Sequence, residues 1–575
     1  MTKEQDIPEK LVEEFDSASR QLDAELRGEI PPRPSEKLMR IVYSDKGPES
    51  PLESVPAAKR GLKAYSGDYW GTFSLEKFYS AGSLTYTHED AWGWLEYLKK
   101  FHPENFRYLD KNVRIWAYYE QYDNWQDTYG MDAVLAVYHS GHGGMTGDGR
   151  FWAPLGYPWG GQGTNAWSDK MQLGNEQARY IFWSTCVSCR VLGGHSPIRT
   201  WSKANKGFRM LFGYETVSYD NPNYGKFFWQ EWNKNNNSFS TAFLNASWRI
   251  SHHQAPAVVA CGKDKNEAKN RVFNERKLSW GAVSRNWWWW RWYNAATSAT
   301  AARALNQKLP DELMIAELQP RSVDGNYVNN VLARHNVGIG LPREVVAGPD
   351  GVFSVQEGDM GIAFEADGSY ELQLARPNLE NTDQISTQKA ASIAQDFVRQ
   401  HGLDREGLTF DRILLSQEGG GSEEGTGQIE GPYVTETVVQ FTQTINGLPV
   451  LLPGKGCVSV AVDNDGTVTN MKNSTRSIDR LTDRFRSAPA APEEETPIGG
   501  APEPERLLAE AWQERMKDWI VRGRMPVQYT IVPGSYEIGY AIKGDDAVLV
   551  AKNDIEVDCG EGCLKRYSVE VPICE

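Results

Sequence analysis

Two histidines and two cysteines stand where chemistry can be done. The stretch "AVLAVYHSGHGG" (133–144) is an apolar run that stops at His139 and His142 among glycines. A second run, "YIFWSTCVSC" (180–189), stops at Cys186 and Cys189. A thiol and an imidazole at the ends of neighbouring strands make a nucleophile–base pair. The thiolate attacks a carbonyl, and the imidazole protonates the leaving amine. Gly143 removes a side chain where backbone must approach a substrate, and its N–H with that of Cys186 forms a candidate oxyanion hole. The same atoms permit another chemistry, because His139-x-x-His142 and Cys186-x-x-Cys189 together supply the four ligands of a Cys2His2 zinc site. A third possibility is that these residues simply pack, in a domain that binds without catalysing.

The flanking pattern predicts how such residues are held. Helices are expected over 89–101 and 237–250, and strands over 112–120, 132–140, 180–186, 208–215 and 255–262. Apolar strands without polar alternation, separated by helical or long connections, indicate a mainly parallel sheet covered on both faces. The expected fold class is therefore an α/β sandwich. In such a sheet, ligands and catalytic groups gather outside the carboxyl ends of the strands, which is where His142 and Cys186 fall.

A hydrophobic strand ending in His-Gly, then one ending in Cys, resembles the cysteine peptidases that include caspases, metacaspases, legumain, separase and gingipains. "YHSGHGG" is close to the Ser-Gly-His-Gly of metacaspases, "VYHSGHGGMTG" parallels the legumain pattern, and "CVSC" keeps a Ser two places after the nucleophile. The resemblance covers residues 61–300 and implies a caspase-like three-layer α/β/α sandwich. It implies a cysteine endopeptidase acting on protein or peptide substrates without a cofactor, with His142 as general acid–base and Cys186 as nucleophile. Cys189 departs from the usual Gly, and Ser184 from the acidic residue that selects basic side chains, so a preference for Arg or Lys is not implied. Ser188, His195, Asp148 and Glu215 are candidates for lining the site. "RNWWWWRWY" (285–293) reads as aromatic packing against the sheet.

The whole chain has 575 residues, 40% of them hydrophobic and 24% charged, which suggests several globular domains. A net charge of −15 argues against nucleic acid as a partner. No run approaches the roughly 18 apolar residues of a membrane span, and no signal peptide is seen, so a cytoplasmic protein is expected. Seven cysteines do not read as a disulfide framework, although Cys559, Cys563 and Cys574 would allow one local disulfide in an exported chain.

Nineteen of 21 tryptophans lie between Trp70 and Trp292, which places a boundary near residue 300. The division reads as a helical arm and linker (1–60), the catalytic domain (61–300), a connection (301–345), an α+β module (346–486), an acidic Pro-rich linker (487–505) and a second α+β module (506–575). Each module reads as a helix (387–402, then 504–521) followed by a β-meander. "SQEGGGSEEGTGQIEGP" (416–432) reads as a flexible segment, and Asn446-Gly447 and Asp465-Gly466 as hairpin turns. "VVQFTQTINGLPV" (438–450) and "VSVAVDNDGTVTNM" (458–471) resemble the propeptide modules of thermolysin-like and fungalysin-like peptidases, which implies a regulatory role toward the catalytic domain. No H-E-x-x-H accompanies them, so nothing points to a metalloprotease. A regulatory partner protein is the remaining candidate for control.

Overall fold

In a computed structural model, five short strands lie side by side and parallel. They are β1 (Trp70–Ser74), β2 (Phe106–Leu109), β3 (Ala136–Ser140), β4 (Tyr180–Ser184) and β5 (Met210–Tyr214), in the order β2-β1-β3-β4-β5. The structure describes residues 40–43, 49–53, 68–295 and 314–573, except 322, 340–343, 348–350, 405–406, 424–428, 452, 483–503 and 522–527. Every residue of β3, β4 and β5 is buried, which is why they read as unbroken apolar runs. On one face Tyr138, Phe182 and Phe212 meet helices α1 (Thr87–Lys99), α2 (Tyr224–Trp232) and α3 (Phe239–Trp248). The Phe182 and Phe212 rings stack at 4.0 Å. On the other face Val137, Ile181 and Trp183 pack against Phe151, Trp201, Trp288 and Trp290.

The expectation of a mainly parallel sheet holds only for these five strands. β6 (Pro256–Gly262) runs antiparallel to β5, and β7 (Trp287–Tyr293) runs antiparallel to β6. The tryptophan run is thus a strand of the sheet, not a layer laid on it. Through β7 the sheet continues into the later half of the chain. It takes in β8 (Phe353–Glu357), β9 (Met360–Phe364), β10 (Tyr370–Gln373), β11 (Leu408–Ser422), β12 (Ile429–Ile445), β13 (Cys457–Asp463) and β14 (Val468–Asn473). The order is β8-β9-β10-β14-β13-β12-β11-β7-β6-β5-β4-β3-β1-β2, with the short strand Leu448–Pro449 pairing on β12 off this path, and the whole fifteen-stranded sheet is mostly antiparallel. The fold class is mixed α/β.

The glycine-rich stretch read as flexible turns out to be the seam. Gly419 and Gly420 of β11 lie opposite Trp290 and Trp289 of β7. A Cβ on Gly420 would sit 2.0 Å from the Trp289 ring, so the missing side chains are what let the indoles lie across the partner strand. The predicted strand at 112–120 is also corrected, because Asp110–Asn112 and Ile115–Ala117 form 3-10 turns. Val113, Ile115, Trp116 and Ala117 are all buried there, leaving no polar face to alternate.

Of the remaining helices, Thr387–Gln400 and Pro504–Val521 fall where expected, whereas Lys265–Asn274 and Gly325–His335 were not foreseen. α4 (Lys265–Asn274) covers β6; α5 (Gly325–His335) precedes β8; α6 (Thr387–Gln400) starts at an Ser386 cap, and Gly402 follows it at φ 64°. Asn446 and Gly447 both have positive φ, as the hairpin turn requires. After α7 (Pro504–Val521), a second sheet forms around the long strand β16 (Asp546–Asp558), which pairs with β15 (Glu537–Lys543) and β17 (Leu564–Pro572). Its core takes in Leu84 and Trp152 from the first half, so this region rests on the domain carrying His142. The arm before residue 40 and most of the 487–505 linker lie outside the described residues. Among the described residues, no helix is long and apolar enough to cross a membrane.

Candidate functional site

β3 and β4 pair in register, ending with Ser140 opposite Ser184. Two residues further on stand His142 and Cys186, at matching levels of the carboxyl edge. The site lies beside the point where the strand order reverses, between β1 and β3, where open sheets bind ligands. Gly143 answers why a glycine follows the histidine. A Cβ there would be 2.6 Å from the Cys186 carbonyl oxygen and 2.7 Å from the Phe151 ring. Only glycine lets the two strand ends approach this closely.

The turn carrying Cys186 is strained. Val187, a β-branched residue, adopts φ 50°, a conformation such residues rarely take and one that clusters at functional sites. It is held there on three sides. The Val187 N–H donates to Thr216 O at 3.1 Å, and the Cys189 N–H to Tyr214 O at 3.0 Å. The Ser188 hydroxyl donates back to Thr185 O at 3.1 Å.

His142 is fully buried, and one ring nitrogen is assigned by its partner. Nε2 lies 2.9 Å from the Gly82 carbonyl, which can only accept, so Nε2 carries the proton. Nδ1 is left with its lone pair, buried and without a hydrogen-bond partner. Burial, with a smaller contribution from the Lys565 cation, pushes the imidazole down to about 3, so it is neutral at pH 7. A neutral imidazole with one nitrogen fixed as donor and the other bare is the form a general base needs.

Cys186 is 1% exposed, and what covers it comes from the far end of the chain. Its thiol donates to the Leu564 carbonyl at 3.0 Å, and its sulfur accepts the Ser218 N–H at 3.3 Å. Lys565, 2% exposed, places its ammonium 3.0 Å from Ser218 Oγ and 3.4 Å from Gly141 O. The preceding turn carries Cys559 and Cys563, whose thiols burial pushes far up. The Cys559 carbonyl accepts from the Gly82 N–H at 2.6 Å, next to the carbonyl that orients His142.

The other expected residues divide. Ser188 shapes the turn that carries Cys186. Glu215 is buried and accepts from the N–H groups of Val191 and Leu192, bracing the loop after that turn. Asp148 is exposed and bonded to Thr146 and Arg150; His195 is half-buried near Arg190 and Arg199; neither is brought to Cys186. His139 points to the opposite sheet face from its neighbours Tyr138 and Ser140, with Nδ1 2.8 Å from the Tyr118 hydroxyl. Cys189 is buried against Gly213. Among the described residues, no group of three or more His, Cys, Asp or Glu is placed to hold a metal, so the Cys2His2 alternative is not met.

Sequence reading missed several residues that the site depends on. Asp90 of α1, fully buried, accepts from Tyr138 Oη at 2.8 Å, Ser140 Oγ at 2.7 Å and the Gly225 N–H at 2.9 Å, tying α1 and α2 to the end of β3. Burial raises its carboxyl despite those bonds. Gly82, Ser218, Leu564 and Lys565 carry no motif, and no local pattern could have pointed to them.

Residues 71–293 match a family model described as a domain of unknown function (DUF6345). No curated protein matches the chain.

Proposed function

We propose that residues 61–300 act as a cysteine endopeptidase of the caspase, metacaspase and legumain kind. Its fold would be a caspase-like three-layer sandwich, read from the parallel order β2-β1-β3-β4-β5 with β6 antiparallel at its edge. One observation carries the reading. His142 and Cys186 leave adjacent parallel strands at the same level, with Nδ1 of His142 bare and the Gly143 backbone against that of Cys186.

The chemistry follows from those atoms. Nδ1 of His142 takes the thiol proton, and the sulfur of Cys186 attacks the carbonyl carbon of the scissile bond. The oxyanion is held by the N–H groups of Gly143 and Cys186. The C–N bond breaks as His142 returns the proton to the leaving amine, and water then hydrolyses the thioester through the same base. Substrates are proteins or peptides, and no cofactor enters. The propeptide-like region from 346 onward regulates the domain. The six cysteines among the described residues are all free, which fits the reducing cytoplasm we assign to the chain.

A peptide-library cleavage profile of the full chain tests this. Products vanish in Cys186→Ala and His142→Ala and persist in Cys189→Ser. Products that survive Cys186→Ala would overturn it. A second reading, a non-catalytic scaffold, is favoured by the nucleophile's burial under Leu564: the cleft would then serve only to bind an extended strand. Failure of Cys186 to react with a thiol reagent, even with that strand displaced, would select the scaffold.

A further inference from the structure

We infer that the hairpin closing at Asp558–Leu564 is a built-in, uncleavable occupant of the peptide groove, which keeps the site latent until it is displaced. This deepens the peptidase reading and rests on it for its functional consequence. The Cys559 N–H bonds the Cys563 carbonyl across the turn. Antiparallel pairs alternate between bonded and unbonded, so the next pairs that turn their backbone groups outward are Asp558–Leu564 and Glu556–Arg566. Leu564 and Arg566 therefore present N–H and C=O away from β16.

Those outward groups meet the candidate site. The Leu564 carbonyl takes the Cys186 thiol. The Arg566 N–H donates to Ser218 O at 3.1 Å, and the Asp220 N–H donates to Arg566 O at 3.0 Å. Tyr219 and Arg566 form a parallel bridge. This is strand addition, the mode by which a groove receives an extended peptide through main-chain bonds. Lys565, between the two docking residues, drops its side chain toward Gly141 and Ser218. Covering an edge strand would by itself need only the 218–220 contact; it would not need a carbonyl on the nucleophile.

The pose also explains why the hairpin is not cut. The Leu564 oxygen, rather than its carbon, faces the sulfur and accepts its hydrogen. The ladder to β16 holds that peptide unit and prevents it from turning its carbon to the sulfur. The groove is filled by a peptide in a geometry that cannot react.

Two single changes bias the hairpin in opposite directions. Arg566→Pro removes the N–H that bonds Ser218 while sparing the β16 ladder, which does not use that N–H. Gly82→Cys places a Cβ 3.1 Å from that of Cys559, close to disulfide range, and staples the hairpin shut when oxidised. The measurement is the alkylation rate of Cys186 by iodoacetamide in the full chain, read by peptide mapping. Relative to the unaltered chain, Arg566→Pro is expected to speed labelling at least tenfold. Oxidised Gly82→Cys, its 82–559 disulfide confirmed by mapping, is expected to slow it at least tenfold, with dithiothreitol restoring the rate. Should Arg566→Pro fail to fold, the stapled form alone decides. Unchanged labelling in the stapled form would overturn the latch. Faster labelling in Arg566→Pro with no peptide cleavage would uphold the latch and sink the peptidase reading instead.

Discussion

Gly143 is the residue on which the approach of the two strand ends turns. Gly143→Ala drives a methyl into the Cys186 carbonyl and the Phe151 ring, and a cost of about 1–3 kcal/mol is expected from overpacking, read as a lower urea midpoint. Cys186 should lose its reactivity in the same variant, because the obstructed atom belongs to its own backbone. Val187 makes the opposite prediction. Val187→Gly deletes a side chain yet releases a positive-φ strain worth about 1–3 kcal/mol, so stability should hold or rise while the position of Cys186 loosens. A fall of more than about 1 kcal/mol would show that the turn is relaxed rather than strained.

At the scale of elements, the strands β3, β4, β5 and β6 were legible because burial on both faces leaves an unbroken apolar run, and α1, α3, α6 and α7 because their apolar spacing is regular. The seam was not legible. Gly419 and Gly420 look like a breaker cluster until the indoles of Trp290 and Trp289 are placed opposite them, a relation between segments about 130 residues apart. His142, Gly143 and Cys186 could be read from type and spacing, whereas Asp90 could not, since a lone acidic residue near a helix start is ordinarily solvated. Asp90→Ala should strand three buried donors, from Tyr138, Ser140 and Gly225, and lower stability by about 3 kcal/mol or more in urea unfolding. Gly420→Ala should cost about 1–3 kcal/mol at the seam, with Cys186 labelling unchanged.

The whole molecule joins a parallel sheet edge that carries His142 and Cys186 to a later half whose last hairpin covers Cys186. Its stability should sense acid through the site itself. His139 and His142 are both pushed to about 3 by burial, whereas an unfolded chain protonates them near 6.5. Between those values the unfolded state binds protons that the folded state does not. The stability these two imidazoles contribute is therefore complete above about pH 6.5 and is lost as pH drops toward 3, by up to about 1.4 kcal/mol per pH unit for each. His139→Leu should flatten that slope between pH 6.5 and 5 in urea titrations; an unchanged slope would mean the imidazole is not buried neutral. Covalent capture decides whether Cys186 and His142 are one catalytic pair. Arg566→Pro chain is incubated with a peptidyl acyloxymethyl ketone, and the adduct is located by mass spectrometry. One adduct is expected, on Cys186, lost when His142→Ala is added and retained when Cys189→Ser is added. Capture on Cys189, or capture on Cys186 indifferent to His142, would contradict it.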